Sequence, residues 1–322
     1  MPVCSHPPDQ TEPLFPASDY ITGRQFGIAR CPACGFVVTT PQLPGQDLAA
    51  CYPPEYYGAA GQRPFFKLVE RGQSALCRRR VRRVESGRGA APGRVLDVGC
   101  GPGWLLHAFR QRGWDAQGTE LSDPAATHAR RVLGLPVATG ASERLGFPDQ
   151  HFDAVTLWHV LEHVADPRGV LAEVHRVLQP GGVLLVSVPN FGGWEAQLCR
   201  DKWFHLDVPR HRTHFTRVSL GQALAAAGFE PRHWSGFAPE YDAFSLVQSL
   251  LNRCGLRHNL LYNLLRSRDA KVLREGKTPA WQVPATLALA APLGLLSLPA
   301  ILLAGWAGQA GTMTVLAVRR AD

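Results

Sequence analysis

Val95-Leu96-Asp97-Val98-Gly99-Cys100-Gly101-Pro102-Gly103 decides how this chain is read. It follows a breaker-rich run, Gly87-Arg88-Gly89-Ala90-Ala91-Pro92-Gly93, and begins as a short apolar strand. Its glycines let the backbone turn sharply and approach a ligand closely. The helix that opens after Gly103 presents unpaired N–H groups and the positive end of its dipole. A pyrophosphate or an amino-acid carboxylate would suit that end equally. Spacing separates them: a dinucleotide fingerprint reads G-x-G-x-x-G, whereas this segment reads D-x-G-x-G-x-G, with Asp97 ahead of the glycines. A carboxylate at a strand tip suits a cationic amine better than a phosphate.

Outward from this bend, strand, turn and helix repeat. Leu105–Arg112 reads as a helix, Asp115–Thr119 as a strand ending at Glu120, Pro124–Leu133 as a helix and Pro136–Ala138 as a short strand. Phe152–Leu157 reads as a fourth strand. Arg168–Val177 is a helix stopped by Gln179-Pro180-Gly181-Gly182, and Val183–Val188 is a fifth strand. Ser219–Ala227 is a further helix, with Phe229–Trp234 and Met313–Arg319 as sixth and seventh strands. Strands alternating with helices predict a parallel, doubly wound α/β sheet.

In these elements and their order the chain resembles class I S-adenosylmethionine-dependent methyltransferases, from about Arg94 to Phe229 and again at Met313–Arg319. The residues that carry the resemblance are LDVGCGPG at 96–103, Glu120, FDAV at 152–155, WHVLEHV at 158–164 and LQPGGVLLVSVPN at 178–190. HVLEHVADP together with WFHLDVPRHRTHFT looks like a bacterial subgroup typed mainly by sequence. The resemblance implies an α/β fold with a Rossmann-like seven-stranded methyltransferase sheet, helices on both faces, and S-adenosylmethionine as cofactor. It implies that Asp97 holds the methionine amino group, directly or through water. Gly99, Cys100, Gly101 and Gly103 would line the cofactor, and Glu120 would take the ribose hydroxyls, with Leu121 beside it. Ala141 and Ser142 would lie against the adenine, where the family often has an Asp. Trp158 and His159 would cap the sulfonium region. Glu162 and His163 are read as capping and packing residues at a helix start.

Methyl transfer needs alignment and exclusion of water, and an oxygen acceptor needs a base within hydrogen-bond reach. Candidates lie after the fifth strand, in Trp203–His214. His205 or His211 is expected as the base, Asp207 as the group orienting it, and Arg210 as a contact to an anionic part of the substrate. Two alternatives stand beside this: a metal site from His205, Asp207, His211 and His214, and a capping loop held by hydrogen bonds.

The first sixty residues are rich in Pro, Gly and Cys, with little periodicity. Cys31-Pro-Ala-Cys34-Gly forms a C-x-x-C-G knuckle, and Cys4 and His6 complete a Cys₃His set suited to tetrahedral zinc. Relatives often carry two Cys pairs here, which implies a structural zinc ribbon; a ribbon that has lost its metal is the alternative. Residues 63–86 read as a helix bearing Arg78, Arg79, Arg80, Arg82 and Arg83.

No charged residue occurs from Thr278 to Val318. Val283–Ala307 is long enough to span a bilayer. The strand that follows must rejoin the cytosolic sheet, so the expectation is a hairpin split near Leu293–Ser297, entering and leaving on one membrane face. Trp281 and Trp306 flank it as interfacial tryptophans do. The alternative is an apolar helical pair packed on the protein or in a dimer. The formal net charge of +8 favours an anionic partner, whether nucleic acid, a phospholipid surface or a phosphorylated substrate, with a merely solvated basic surface as the alternative. The basic helix at Arg78–Arg83 would add attraction to anionic lipid. Nucleic acid is not expected, because the basic residues cluster on one helix with no interleaved aromatic platform. No signal-peptide pattern opens the chain, which places the expected catalytic body in the reducing cytoplasm, peripheral or monotopic at the inner membrane face.

The expected organisation is therefore a zinc-ribbon-like segment at 1–60, a basic helix and linker at 61–92, and a methyltransferase core at 93–237. A helical insertion with the apolar hairpin follows at 238–311, and the last core strand at 312–322. The expected function is methylation of a small or lipid-linked acceptor, with O-methylation favoured. A membrane-associated binding or scaffold protein that keeps the fold without turnover is the alternative.

Overall fold

The computed structural model describes residues 10–52, 66–140, 142–266 and 278–321. Its N-terminal part is more regular than the composition suggests. Strands β1 (Glu12–Ser18), β2 (Gln25–Arg30) and β3 (Val37–Thr40) form an antiparallel sheet, with helix α1 (Gly45–Ala49) after it. Proline and glycine content hides strands whose partners are close in sequence. The long helix α2 (Phe66–Arg88) then leads to β4 (Arg94–Val98).

Alternation of side chains explains the central sheet. In β4, Leu96 and Val98 enter one apolar core, while Val95 enters the other. Successive residues of a strand point to opposite faces, so a strand covered on both sides reads as a continuous apolar run. The chain continues through α3 (Trp104–Arg110), β5 (Asp115–Glu120), α4 (Asp123–Arg131), β6 (Val137–Thr139) and β7 (Phe152–Trp158). It goes on through α5 (Pro167–Val177), β8 (Leu178–Pro189) and α6 (Trp194–Cys199) to a two-residue strand β9 (Thr213–His214). Then come α7 (Arg217–Ala226), β10 (Phe229–Ser235), α8 (Pro239–Arg253), α9 (Leu260–Arg266), α10 (Gln282–Trp306) and β11 (Thr312–Arg319).

The main sheet has the order β10-β11-β8-β7-β4-β5-β6, with β11 antiparallel to both neighbours and β4 to β8 mutually parallel. This is the expected seven-stranded Rossmann-like arrangement. Helices α2, α3 and α4 cover one face, through residues such as Val81, Val84, Leu106, Phe109 and Ala129. Helices α5 and α7 cover the other, through Val170, Leu171, Val174, Leu220 and Leu224. After β4 the chain proceeds outward through β5 and β6, then returns to place β7 on the other side of β4. The carboxyl ends of β4 and β7 therefore form the switch point where such sheets bind ligands.

The N-terminal sheet gains its fourth strand from far along the chain: β3 pairs with β9. Its apolar face shares one core with the stretch after β8, joining Phe26, Ile28 and Val37 to Phe191, Cys199, Trp203, Leu206 and Val208.

The expected apolar hairpin is not formed. Gln282–Trp306 is one helix with Pro292 and Pro299 inside it, about 37 Å long at 1.5 Å per residue. Its inward positions are Gln282, Thr286, Ala290, Leu293, Ser297, Ile301 and Ala304, spaced four and three residues apart. This seam packs along α8 and α9, and it keeps the helix continuous across the prolines. The seam carries the polar side chains, whereas Leu295, Leu296, Leu302 and Leu303 are 58–76 % exposed.

Candidate active site

Gly99, Gly101 and Gly103 all have positive φ (65°, 54° and 89°), as the bend after β4 requires. A side chain at Gly99 would meet Val160 Cγ2 at 2.6 Å, and one at Gly103 would meet Leu135 Cδ1 at 2.7 Å. Gly101 has no atom within 4 Å of that position, so the bend is open where a cofactor would lie. Glu120, at the tip of β5, is pinned beside it: Gly101 N–H donates to Oε2 at 2.8 Å and Ser122 N–H to Oε1 at 2.7 Å. Leu121, next to it, is 74 % exposed, an apolar surface placed for a flat ring to cover. Gly140 N–H donates to the Glu120 carbonyl at 3.2 Å, which brings the end of β6 to the same edge. Ser142 is half-buried with its hydroxyl on Glu143, while Ala141 lies outside the described residues. Cys100 turns its thiol inward, where a side chain at Gly118 would meet it at 2.9 Å; what it offers a cofactor is backbone.

Asp97 is buried at the switch point, and Thr156 of β7 donates to its Oδ1 at 2.5 Å. Burial pushes the Asp97 carboxyl up to about 7, against the pull of the Thr156 hydroxyl and Arg80. The guanidinium of Arg80 lies 3.7 Å from the centre of the Trp158 ring. The basic helix α2 thus delivers one of its arginines to the bend, a placement that a run of five arginines conceals in the sequence. A buried carboxylate with a guanidinium nearby is a donor set that fits the ammonium and carboxylate of an amino acid.

His159 follows Trp158 with φ 55°, a conformation that is strained for a residue with a side chain. Its Nδ1 donates to Glu162 Oε1 at 3.0 Å. Its ring lies 4.5 Å from that of Tyr241 and 6.3 Å from that of His205, centre to centre. His205 is buried among Trp203, Phe204 and Tyr241, and its Nε2 has no hydrogen-bond partner among the described residues. Burial, reinforced by His159, lowers its pKa to about 3, so it is neutral at physiological pH. His159, His205 and Tyr241 therefore gather two imidazoles and a phenol beside Trp158. Tyr241 comes from α8, where an amphipathic helix gave no chemical signal.

Other residues of the Trp203–His214 stretch have different work. Asp207 was expected to orient a histidine, but its Oδ1 accepts from Arg210 Nε at 2.8 Å. Arg210 was expected to meet substrate; it is fully buried, donating to Asp19 Oδ1 at 2.7 Å and to the Cys51 carbonyl at 2.9 Å. A guanidinium so enclosed fastens the N-terminal sheet to this loop. His214 pairs with Thr39 Oγ1 at 2.9 Å within the β3–β9 ladder. The proposed alternative of a metal held by His205, Asp207, His211 and His214 is thereby broken up. His211 is set against His163 instead, ring centres 4.6 Å apart, with its Nδ1 donating to the His205 carbonyl at 2.7 Å. Glu162 and His163 do not start a helix: α5 begins at Pro167 and is capped by Asp166.

Of the expected zinc set, Cys4 and His6 lie outside the described residues. Cys31 and Cys34 flank a tight turn in which Gly35 N–H donates to the Cys31 carbonyl at 2.8 Å and Cys31 N–H to Phe36 at 2.9 Å.

Comparison with known proteins identifies the family. A family model described as a methyltransferase domain matches residues 69–233. A curated ubiquinone biosynthesis O-methyltransferase of Pseudomonas aeruginosa (strain UCBPP-PA14) is 36 % identical over 118 residues, covering 34 % of this chain and 50 % of that protein. One of the same name from Bordetella avium (strain 197N) is 31 % identical over 173 residues, covering 49 % and 69 %. The chain spans about half the length of the first of these relatives. Among solved structures, the [4+2]-cyclase SpnF aligns with a TM-score of 0.49 and 23 % identity over 76 % of this chain and 81 % of that one. The matched span runs from α2 to β10 and includes the glycine bend, Glu120 and the Trp158–His163 turn; the chain belongs to the methyltransferase-domain family whose members use S-adenosylmethionine.

Proposed function

We propose that this chain methylates an oxygen of a small amphipathic or lipid-linked acceptor at the cytoplasmic membrane face. The observation that carries the reading is the meeting of His159, His205 and Tyr241 beside Trp158, at the same sheet edge as Asp97 and the open Gly101 bend. When bound, the sulfonium supplies an electrophilic methyl group.

The chain's own residues do the rest. Asp97 takes the methionine ammonium, Arg80 the carboxylate, Glu120 the ribose hydroxyls, and Leu121 with Ala141 and Ser142 the adenine. Trp158, with Arg80 across its face, closes the sulfonium side. Glu162 fixes His159 with Nδ1 as donor, which leaves Nε2 as proton acceptor for a hydroxyl and lets the carboxylate support the resulting imidazolium. His205 lines the acceptor side and offers a second neutral ring nitrogen. Asp207 and His211 serve this site indirectly, by holding the loop that carries His205.

Membrane contact is supported by α10. A helix that buries glutamine, threonine and serine while exposing leucines suits an apolar medium. Both ends are tied to the same body: Arg257 N–H donates to Gln282 Oε1 at 2.9 Å, and Trp194 N–H to the Gln309 carbonyl at 3.0 Å. A helix so tethered lies in the interfacial plane rather than crossing it. The names of the curated relatives support an oxygen acceptor.

The test is calorimetric titration with S-adenosylmethionine, followed by transfer of radiolabelled methyl to hydroxylated aromatics with and without an isoprenoid tail. The expectation is micromolar cofactor binding, and turnover that falls at least about 100-fold in His159→Gln and in His205→Ala with cofactor affinity retained. Absence of cofactor binding would favour the scaffold reading; full turnover in both variants would remove the base assignment.

A further inference from the structure

Glu162, His163 and His211 bring three ligand atoms within 4.8 Å of one another. Two stand in the turn after β7 and the third in the loop after β8, so the tertiary fold makes the cluster. Each imidazole is fixed through Nδ1. That of His163 lies 3.1 Å from the Arg210 carbonyl and 3.4 Å from the Tyr52 hydroxyl; that of His211 lies 2.7 Å from the His205 carbonyl. A carbonyl only accepts, so each Nδ1 carries the proton and each Nε2 keeps its lone pair. A ring N–H held by a backbone carbonyl is the arrangement that orients metal-ligating histidines.

The carboxylate shows the complementary need. Glu162 is 1 % exposed; Oε1 accepts from His159, and Oε2 has no hydrogen-bond partner among the described residues. An unsatisfied buried oxygen costs about 1–3 kcal/mol, and more when charged. Among the described residues, the buried guanidinium of Arg210 is shared by the carboxylates of Asp19 and Asp207 and pairs with neither oxygen of Glu162, which leaves the buried Glu162 carboxylate as excess negative charge. A divalent cation would balance that excess.

We propose that Glu162, His163 and His211 bind a single zinc ion. Two imidazoles and one carboxylate suit zinc, whereas magnesium and calcium take all-oxygen shells. Three protein ligands leave a fourth position open, for water or an acceptor oxygen. The ion would pin the Trp158–His163 turn to the loop bearing His205. The site is independent of the Cys31 knuckle and does not require His159 to be the base.

Cobalt(II) is the probe, added to purified full-length chain stripped of metal. The expectation is one equivalent bound with visible d–d absorption in a Cys31→Ser/Cys34→Ser variant, without thiolate-to-cobalt charge transfer. His211→Asn and Glu162→Gln should each lower the affinity at least about tenfold, with the thermal midpoint and cofactor titration showing a retained fold. In the wild-type chain the thiolate band reports any cobalt at the knuckle separately, so the reading survives a double variant that folds poorly. No cobalt or zinc bound at micromolar concentration beyond a thiolate site, or binding unchanged in both folded variants, overturns the proposal.

Discussion

Replacing Asp97 by Asn should move stability and cofactor binding in opposite directions. Burial raises the Asp97 carboxyl from 3.8 to about 7, so the folded chain holds a proton there that the unfolded chain releases. The native state therefore loses stability as pH rises from about 4, and the loss levels off above about 7. At 1.36 kcal/mol per unit the penalty is about 4 kcal/mol at pH 8, before relaxation and water entry reduce it. Asparagine has no charge to desolvate but brings an amide that must find partners, so a net gain of about 2 kcal/mol is expected, or about 4–8 °C in thermal midpoint for a domain of this size. The gain should shrink as pH falls towards about 4 and vanish only below about pH 3, where the wild-type carboxyl is protonated in both states. The same change deletes the partner of the methionine ammonium, and cofactor affinity should fall at least about 100-fold. Thermal melts at pH 4.5 and 8, with calorimetry at pH 8, read both effects. A variant that is less stable than wild type at pH 8, or that binds the cofactor undiminished, would refute the argument that a buried charge is held in reserve for a cation.

Two further outcomes follow. Leu296 and Leu303 are 76 % and 58 % exposed on α10, and burying a leucine is worth about 1.5–3 kcal/mol, so Leu296→Ser/Leu303→Ser should weaken binding to phosphatidylglycerol vesicles at least about tenfold with little change in melting; equal sedimentation with vesicles would discard the membrane-facing assignment. For the knuckle at Cys31 and Cys34, we propose structural zinc completed by Cys4 and His6; metal analysis after reducing, chelator-free purification should find zinc that Cys31→Ser loses, together with a lower midpoint, and zinc content unaffected by that change would exclude the set.

Local chemistry made part of this protein legible from its residues. The strand-glycine-helix unit at Val95–Gly103 and Glu120 at the next strand tip act over a few residues, and each appears where its pattern places it. The expected glycine stop does not, because the helix ends at Val177 with Leu178 already extended, and Gly181 and Gly182 lie inside β8. The glycine-bend edge of the sheet was readable because one strand and its bend supply most of it. The N-terminal sheet was not, because its last strand, Thr213–His214, is supplied from far along the chain and two residues carry no periodicity. Nor was α10: Pro292 and Pro299 read as breaks, and only the seam against α8 and α9 shows a single helix turned polar side inward. The assignments within Trp203–His214 depended most on folding. Sequence shows six ionisable side chains at short spacing, but whether Asp207 faces a histidine or Arg210, and whether His211 joins His205 or Glu162 and His163, is set by which buried charges must be paired and which elements the sheet brings together. Ligand-like residue types are local properties; partnership among buried polar groups is a property of the packed whole.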